Sequence, residues 1–174
     1  IYTTPALTTS TTYYVESDIY PAAEYVGPFD NTFGGGNNYT NNTYRCLLFD
    51  VISPAKLVSV KVFADGAGPR TITLINSGGT VLNSLTVNIP NGTSRVDLNF
   101  DLPVGSDFEL GGTGGINLLR NNDGAVYPYT IANLVSITNT NAGAPGYYYF
   151  FYDWEVQAPP CTSPRTPVNV NVST

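Results

Sequence analysis

Few side chains in this sequence could carry out catalysis. Its 174 residues include no histidine, which excludes Ser-His-Asp and Cys-His arrangements and histidine-ligated metals. Two carboxylates about 5 to 10 Å apart would still be enough for glycoside cleavage. The candidates are Asp50, Asp153 and Glu155. Each lies in a predicted strand, and the residues next to it have the pattern of a strand with a structural role. We therefore expect a protein that is not an enzyme.

Sugar recognition is the binding chemistry that best fits the residue types. A tyrosine ring offers an apolar face for stacking and a polar tip, and planar hydrogen-bonding groups beside it can fix a sugar. The candidate carbohydrate-binding residues are Arg120, Asn121, Asn122, Asp123, Tyr127 and Tyr129 on one loop, with Trp154 as a further platform. In the alternative interpretation, Tyr127-Pro128-Tyr129 packs the loop onto its domain and Trp154 belongs to the core.

The same loop contains oxygen ligands of the kind that calcium binds. Asn121, Asn122 and Asp123, with Asp65 in a separate turn, are the dense groups of this type. Turn chemistry, in which Asn and Asp side chains bond to their own backbone, explains them better. We expect no metal and no cofactor, with Ca²⁺ as the alternative.

The two cysteines, Cys46 and Cys161, fit no metal-binding spacing. A disulfide between them is the favoured interpretation, and buried free thiols are the alternative. Such a bond would close a long loop, which is worth about 4 kcal/mol, and would indicate an oxidising location.

Two groups of residues are candidates for glycosylation. The threonines of the Thr-rich first segment are the more exposed targets, and Asn-X-Ser/Thr sequences supply the asparagines. The candidates are Thr3, Thr4, Thr8, Thr9, Asn38, Asn41, Asn91 and Asn171.

Composition indicates an extracellular β protein. The chain has 13 Tyr, 17 Gly and 13 Pro, only 11% charged residues and a net charge of −6. With two lysines and five scattered arginines there is no basic stripe for nucleic acid. No apolar run approaches the roughly 18 residues of a membrane span, so we expect no membrane insertion.

Alternating apolar residues between Gly, Asn and Pro turns predict a series of short strands from Arg45 to Phe100. These indicate an all-β fold, a jelly-roll-like antiparallel sandwich spanning 18–157. Five consecutive aromatics, 147–151, occur in its closing strand, and both faces of that strand should be covered unless one is a groove or an interface. The sandwich is predicted to be inserted into a partial immunoglobulin-like domain formed by 1–17 and 158–174, in which 11–16 and 166–172 are neighbouring strands.

Several long segments carry a family resemblance. TTPALTTSTTYYVES and CTSPRTPVNVNV resemble the second half of immunoglobulin-like repeats in secreted and cell-surface proteins of Bacteroidetes, many of them exported by the type IX secretion system. LVSVKVFADGAGPRTITL, VNIPNGTSRVDLNFDLPVGSDFELG, LLRNNDGAVYPYT and YYYFFYDWEV are similar to a β-sandwich module of the same proteins. The resemblance implies an extracellular adhesion or scaffold protein and no catalytic residue set.

The resembled outer domain has earlier strands, one of them with a tryptophan, that this chain lacks. Its remaining strands should have open edges, which are prone to pair with other strands. The expected partners are further copies of the chain or adjacent domains of a longer one. We expect a subunit or repeat of a surface fibre or adhesin that assembles head to tail by strand complementation; a carbohydrate-binding module of a secreted protein is the alternative.

Overall fold

The chain divides into two compact units in the computed structural model, which describes residues 2–112 and 115–172. The central unit is Ala22–Pro159. The terminal unit combines both ends of the chain, up to Pro21 and from Pro160 onward. Asp18 and Ile19, which the sequence placed with the central sandwich, instead pair with Cys161 and Thr162 of the terminal unit.

The described residues form strands and no helix, because β-branched and aromatic residues alternate with turn-forming Gly, Asn and Pro. The predicted all-β class is confirmed. The strands are β1 Thr11–Val15, β2 Asp18–Ile19, β3 Glu24–Val26, β4 Gly36–Asn38, β5 Arg45–Val51, β6 Ala55–Ala64, β7 Gly68–Ile75, β8 Val81–Ile89, β9 Gly92–Leu102, β10 Gly105–Gly112, β11 Leu119–Asn121, β12 Tyr129–Ile131, β13 Val135–Thr140, β14 Tyr148–Tyr149, β15 Tyr152–Gln157, β16 Cys161–Thr162 and β17 Thr166–Val170.

The central unit is an antiparallel sandwich. One sheet has the order β12-β13-β5-β10-β7-β8, the other has the order β3-β15-β6-β9, and β14-β11-β4 form a smaller third sheet. Side chains of both large sheets share one hydrophobic core, in which the rings of Phe49 and Trp154 meet edge to face at 5.1 Å. The part of the chain that the structure describes holds no helix with the length and hydropathy of a membrane span.

The terminal unit consists of two antiparallel ribbons, β1 with β17 and β2 with β16. Thr11 is opposite Val170 and Val15 is opposite Thr166, so the two segments expected to be neighbours do pair. The immunoglobulin-like character of this unit stays a prediction.

The aromatic run is buried on both sides from Tyr148 onward, and Tyr147 is partly buried. Phe150 has a left-handed backbone with φ of 67°, which ends β14 and breaks the alternation before β15 starts at Tyr152. Tyr148 to Tyr152 are therefore all buried, and Tyr39 covers Tyr149 and Phe150 at ring distances of 5.6 and 5.7 Å. The expectation that both faces are covered is confirmed, and these residues form no open groove.

A register shift changes the inward face of β6. The sequence pattern predicted that Val58, Val60 and Val62 share a face, but the pairing of β6 with β9 shifts between Leu57 and Ser59. Leu57, Val60 and Val62 are buried as a result, while Val58 is only partly buried.

Arg70 is a buried arginine that links three stretches of backbone. Its guanidinium donates to the carbonyl oxygens of Ile116, Gly68 and Ile89 at 2.8, 3.0 and 3.3 Å. The carbonyl oxygens of Asp65 and Gly66 accept two more bonds at 3.2 and 2.7 Å. Burial lowers the pKa of Arg70, and the charge of Asp65 opposes that shift.

The predicted disulfide is wrong, because both cysteines are free. Cys46 lies within β5 with none of its surface exposed, whereas Cys161 is exposed. A thiol covered on all sides by its own unit presents no sulfur for an external bond. Burial raises the pKa of Cys46 to about 12.

Candidate functional site

The loop from Arg120 to Tyr129 was the candidate carbohydrate site, and its side chains are largely used within the protein. Arg120 and Asn121 lie in β11, Asn122 and Asp123 form the turn after it, and Tyr129 begins β12.

Arg120 packs among aromatic rings. Its guanidinium carbon is 5.5, 5.3 and 5.9 Å from the ring centroids of Tyr39, Tyr147 and Tyr149. Its terminal nitrogens donate to the Tyr149 hydroxyl and to Asn37 Oδ1, both at 3.4 Å. These contacts join β11 to β14 and β4, so Arg120 supports the small third sheet.

Tyr127 and Tyr129 pack the loop onto the sandwich. Tyr127 stacks on Tyr148 at 6.1 Å with an interplanar angle of 14°, and its hydroxyl donates to the Tyr147 carbonyl at 2.8 Å. Tyr129 meets both rings edge to face, and its hydroxyl accepts the Val126 N–H at 3.0 Å. Burial raises the pKa of Tyr127 well above its usual range. The packing alternative therefore describes this pair.

Trp154 and Asn121 are wrong as carbohydrate contacts, because neither is accessible. Trp154 is 0% exposed, and its indole N–H donates to the Phe151 carbonyl at 2.7 Å. Asn121 is also buried, and its amide donates to Asn31 while accepting the Tyr152 hydroxyl at 2.6 Å. A stacking platform needs a free ring face, which a core tryptophan lacks.

Several oxygens of the oxygen-rich turns accept hydrogen bonds within the protein. Among residues 2–112 and 115–172 no group of three or more acidic, histidine or cysteine side chains is arranged to hold a metal. Asp123 Oδ1 accepts the Gly124 N–H at 2.7 Å, which is turn chemistry. The Asp65 carbonyl accepts bonds from Arg70 and Asn117.

Most of the candidate glycosylation residues are exposed. Asn38 and Thr4 are partly buried, and the exposed positions are Thr3, Thr8, Thr9, Asn41, Asn91 and Asn171. The side chain of Asn91 accepts the Gly66 N–H at 2.8 Å, which ties two neighbouring turns together.

The ribbon of β1 and β17 has an uncovered apolar face. Opposite residues of an antiparallel pair share a face, so Tyr13 and Val15 lie on the same side as Val168 and Val170. Val15 is 58% exposed and Val168 is 44% exposed. Tyr2 packs on Tyr13 at a ring distance of 6.2 Å. None of the described residues of the terminal unit is buried.

A polar network on the outer face of the four-stranded sheet was not foreseen as a site. Asp153, in a left-handed backbone with φ of 44°, forms ion pairs with Arg95 and Lys61, the latter at 3.6 Å. Arg95 also donates to Ser59 Oγ at 2.9 Å, and Ser59 donates to Glu155. Asp153 and Glu155, two of the three carboxylates considered for catalysis, are thus bonded to side chains of this network. The third, Asp50, accepts the Asp107 N–H at 3.0 Å.

Two exposed aromatic rings border this network. Lys61 Nζ lies 3.4 Å from the Phe29 ring centroid, and the Arg95 guanidinium carbon lies 5.6 Å from that of Tyr25. The sequence gives a weak indication that these rings are exposed. Tyr25 and Phe29 lie in a polar segment that lacks the alternating apolar residues of a core strand. Strand pairing at long range, which the sequence does not reveal, brings them beside Lys61 and Arg95.

Comparisons with protein-family models, curated proteins and solved structures give no match to this chain.

Proposed function

We propose that this chain is a non-enzymatic extracellular structural module, a subunit or repeat of a surface fibre or adhesin. In this proposal the terminal unit is completed by a β-strand of a neighbouring copy, so that copies assemble head to tail. The resemblance to Bacteroidetes surface repeats supports the extracellular assignment.

The uncovered apolar face of the ribbon carries the proposal. A two-stranded ribbon in water is marginally stable at best, and it becomes stable when further strands or a packed layer cover its apolar side. On this side Val15 and Val168 are exposed, whereas Tyr13 and Val170 are partly buried and Tyr2 packs on Tyr13. No described residue of the terminal unit is buried, so the side has no complete layer over it. Within residues 2–112 and 115–172, each strand of the β1–β17 pair also has a free edge, since the pair forms a sheet of its own. A strand from a second copy would satisfy both needs.

Such a contact joins unlike surfaces of two copies. Heterologous contacts propagate into an open filament unless their rotation closes a ring. The proposal therefore predicts linear or ring-shaped assemblies. Glycan binding through 120–129, the alternative function, has less support, because Asn121 and Trp154 are buried and the rings of Tyr127 and Tyr129 are packed.

The test is the mass of the purified chain over a range of concentrations, measured by light scattering and viewed by negative-stain electron microscopy. We expect the mass to rise with concentration and linear or ring-shaped particles to form. Val15→Lys, which places a charge on the apolar face, should abolish this growth. Val104→Lys is the matched control, because Val104 is 60% exposed on the central unit. A chain that stays monomeric at all concentrations, or growth that Val15→Lys leaves unchanged, overturns the proposal.

A further inference from the structure

We infer that the outer face of the β3-β15-β6-β9 sheet, between Tyr25 and Phe29, is a binding site for a neutral oligosaccharide. This surface is made of residues other than those of loop 120–129 and of the terminal ribbon. The inference does not depend on assembly of the chain.

Two accessible rings provide the stacking surface. Tyr25 is 57% exposed and Phe29 is 71% exposed, in contrast to the buried or packed aromatics of the 120–154 region. A cationic side chain packs over one face of each ring, with Lys61 over Phe29 and Arg95 over Tyr25. Lys61 also donates to the Phe29 carbonyl at 2.6 Å, which fixes this residue further. Rings oriented before binding lose little conformational entropy when a sugar stacks on them.

Fixed polar groups lie in register beside the rings. Tyr25 is opposite Glu155, Glu155 is opposite Ser59, and Ser59 is opposite Asp97, so one row crosses all four strands. Lys61 is opposite Arg95 on the neighbouring strands. Like charges directly opposite repel each other, and the Asp153 carboxylate relieves this by pairing with both.

The charges of the network select the class of ligand. Lys61 and Arg95 are outnumbered by Asp153, Glu155 and Asp97, so the five ionic side chains sum to −1. An anionic ligand gains no net attraction from such a group, whereas sugar hydroxyls can donate to the Glu155 and Asp97 carboxylates and accept from the cations. The apolar C–H faces of a pyranose match the exposed rings. A neutral, polyhydroxylated chain fits both features.

The test is affinity gel electrophoresis with three soluble neutral polysaccharides, namely β-glucan, xyloglucan and galactomannan, and with anionic polygalacturonate as a comparison. We expect retardation by at least one neutral polymer and none by polygalacturonate. Tyr25→Ala and Phe29→Ala should each weaken binding by about tenfold. Tyr25→Phe and Phe29→Tyr keep the rings and should retain it.

Tyr20→Ala is the matched control, because Tyr20 is an equally exposed tyrosine of the terminal unit. Circular dichroism checks that the variants remain folded, which is expected since both rings are at the surface. The inference would be overturned by no binding to any neutral polymer, by binding that survives both alanine variants, or by binding to polygalacturonate alone. Self-association that Phe29→Ala abolishes in the absence of glycan binding would mark the surface as a protein contact and would also overturn it.

Discussion

At the scale of single residues, Arg70 holds together turns that are far apart in the sequence. Its five N–H groups all reach backbone carbonyls, in 65–68, at Ile89 and at Ile116. The sequence offered no sign of this role, because Arg70 follows a Gly-Pro turn at the start of a predicted strand. The carbonyls it bonds come from separate loops that only the folded topology assembles. The same reason explains why the Asp153 network was not foreseen.

Arg70→Lys should lower the free energy of unfolding by about 2 to 4 kcal/mol, since an ammonium group cannot replace a five-donor planar fork and leaves buried carbonyls unpaired. Urea denaturation followed by fluorescence of the buried Trp154 measures the change. Arg165→Lys, on an exposed side chain, is the control and should leave the curve unchanged. Equal midpoints for Arg70→Lys and the parent chain would contradict this role.

At the scale of secondary structure, β10 provides space for side chains from neighbouring segments. A Cβ at Gly111 would overlap the Tyr44 ring and hydroxyl, and one at Gly112 would overlap the side chain of Ile116. The two glycines therefore allow close packing over the end of β10. The sequence does not reveal this packing, because glycines usually indicate a turn.

Gly111→Ala should destabilise the central unit by about 1 to 3 kcal/mol, because Tyr44 must move from a packed position. Gly35→Ala is the control, as open space surrounds a Cβ at Gly35. Thermal unfolding by circular dichroism compares the two variants. If the two variants have the same melting temperature, the packed position of Tyr44 does not require a glycine at position 111.

Strands that alternate regularly were the part of the fold that could be predicted. In β9, Val96, Leu98 and Phe100 are buried and Arg95, Asp97 and Asn99 are exposed, as the pattern indicated. The failures occur where the alternation is interrupted. One is the shift beside Ser59, and the other is Phe150, where the single closing strand expected from the sequence is divided into β14 and β15. Both interruptions depend on pairing with a distant strand, which local periodicity does not contain.

At the scale of the whole molecule, the two units differ in how much of them is buried. The central unit has a continuous core from Val26 to Val156, whereas none of the described residues of the terminal unit is buried. Local opening is easiest where few apolar contacts oppose it. The terminal unit should therefore be the first part of the chain to open.

Limited trypsin digestion tests this difference. Arg165 has a side chain that is 70% exposed and lies just before β17, so the first cut should fall after it. Intact mass spectrometry identifies the product, and the central unit should persist. If copies assemble as proposed, with a neighbour's strand over the ribbon, this cut should be slower in assembled material. A first cut within Ala22–Pro159 would contradict the expected order.

The contrast between the two thiols makes the chain a convenient object for labelling. Cys161 is open to solvent, while Cys46 is enclosed and stays protonated at the pH of maleimide chemistry because burial raises its pKa to about 12. A dye added to the native protein therefore attaches at one defined position on the terminal unit. A second dye molecule can react with Cys46 only when the central sandwich unfolds, so the fraction of doubly labelled chains reports how many chains have unfolded.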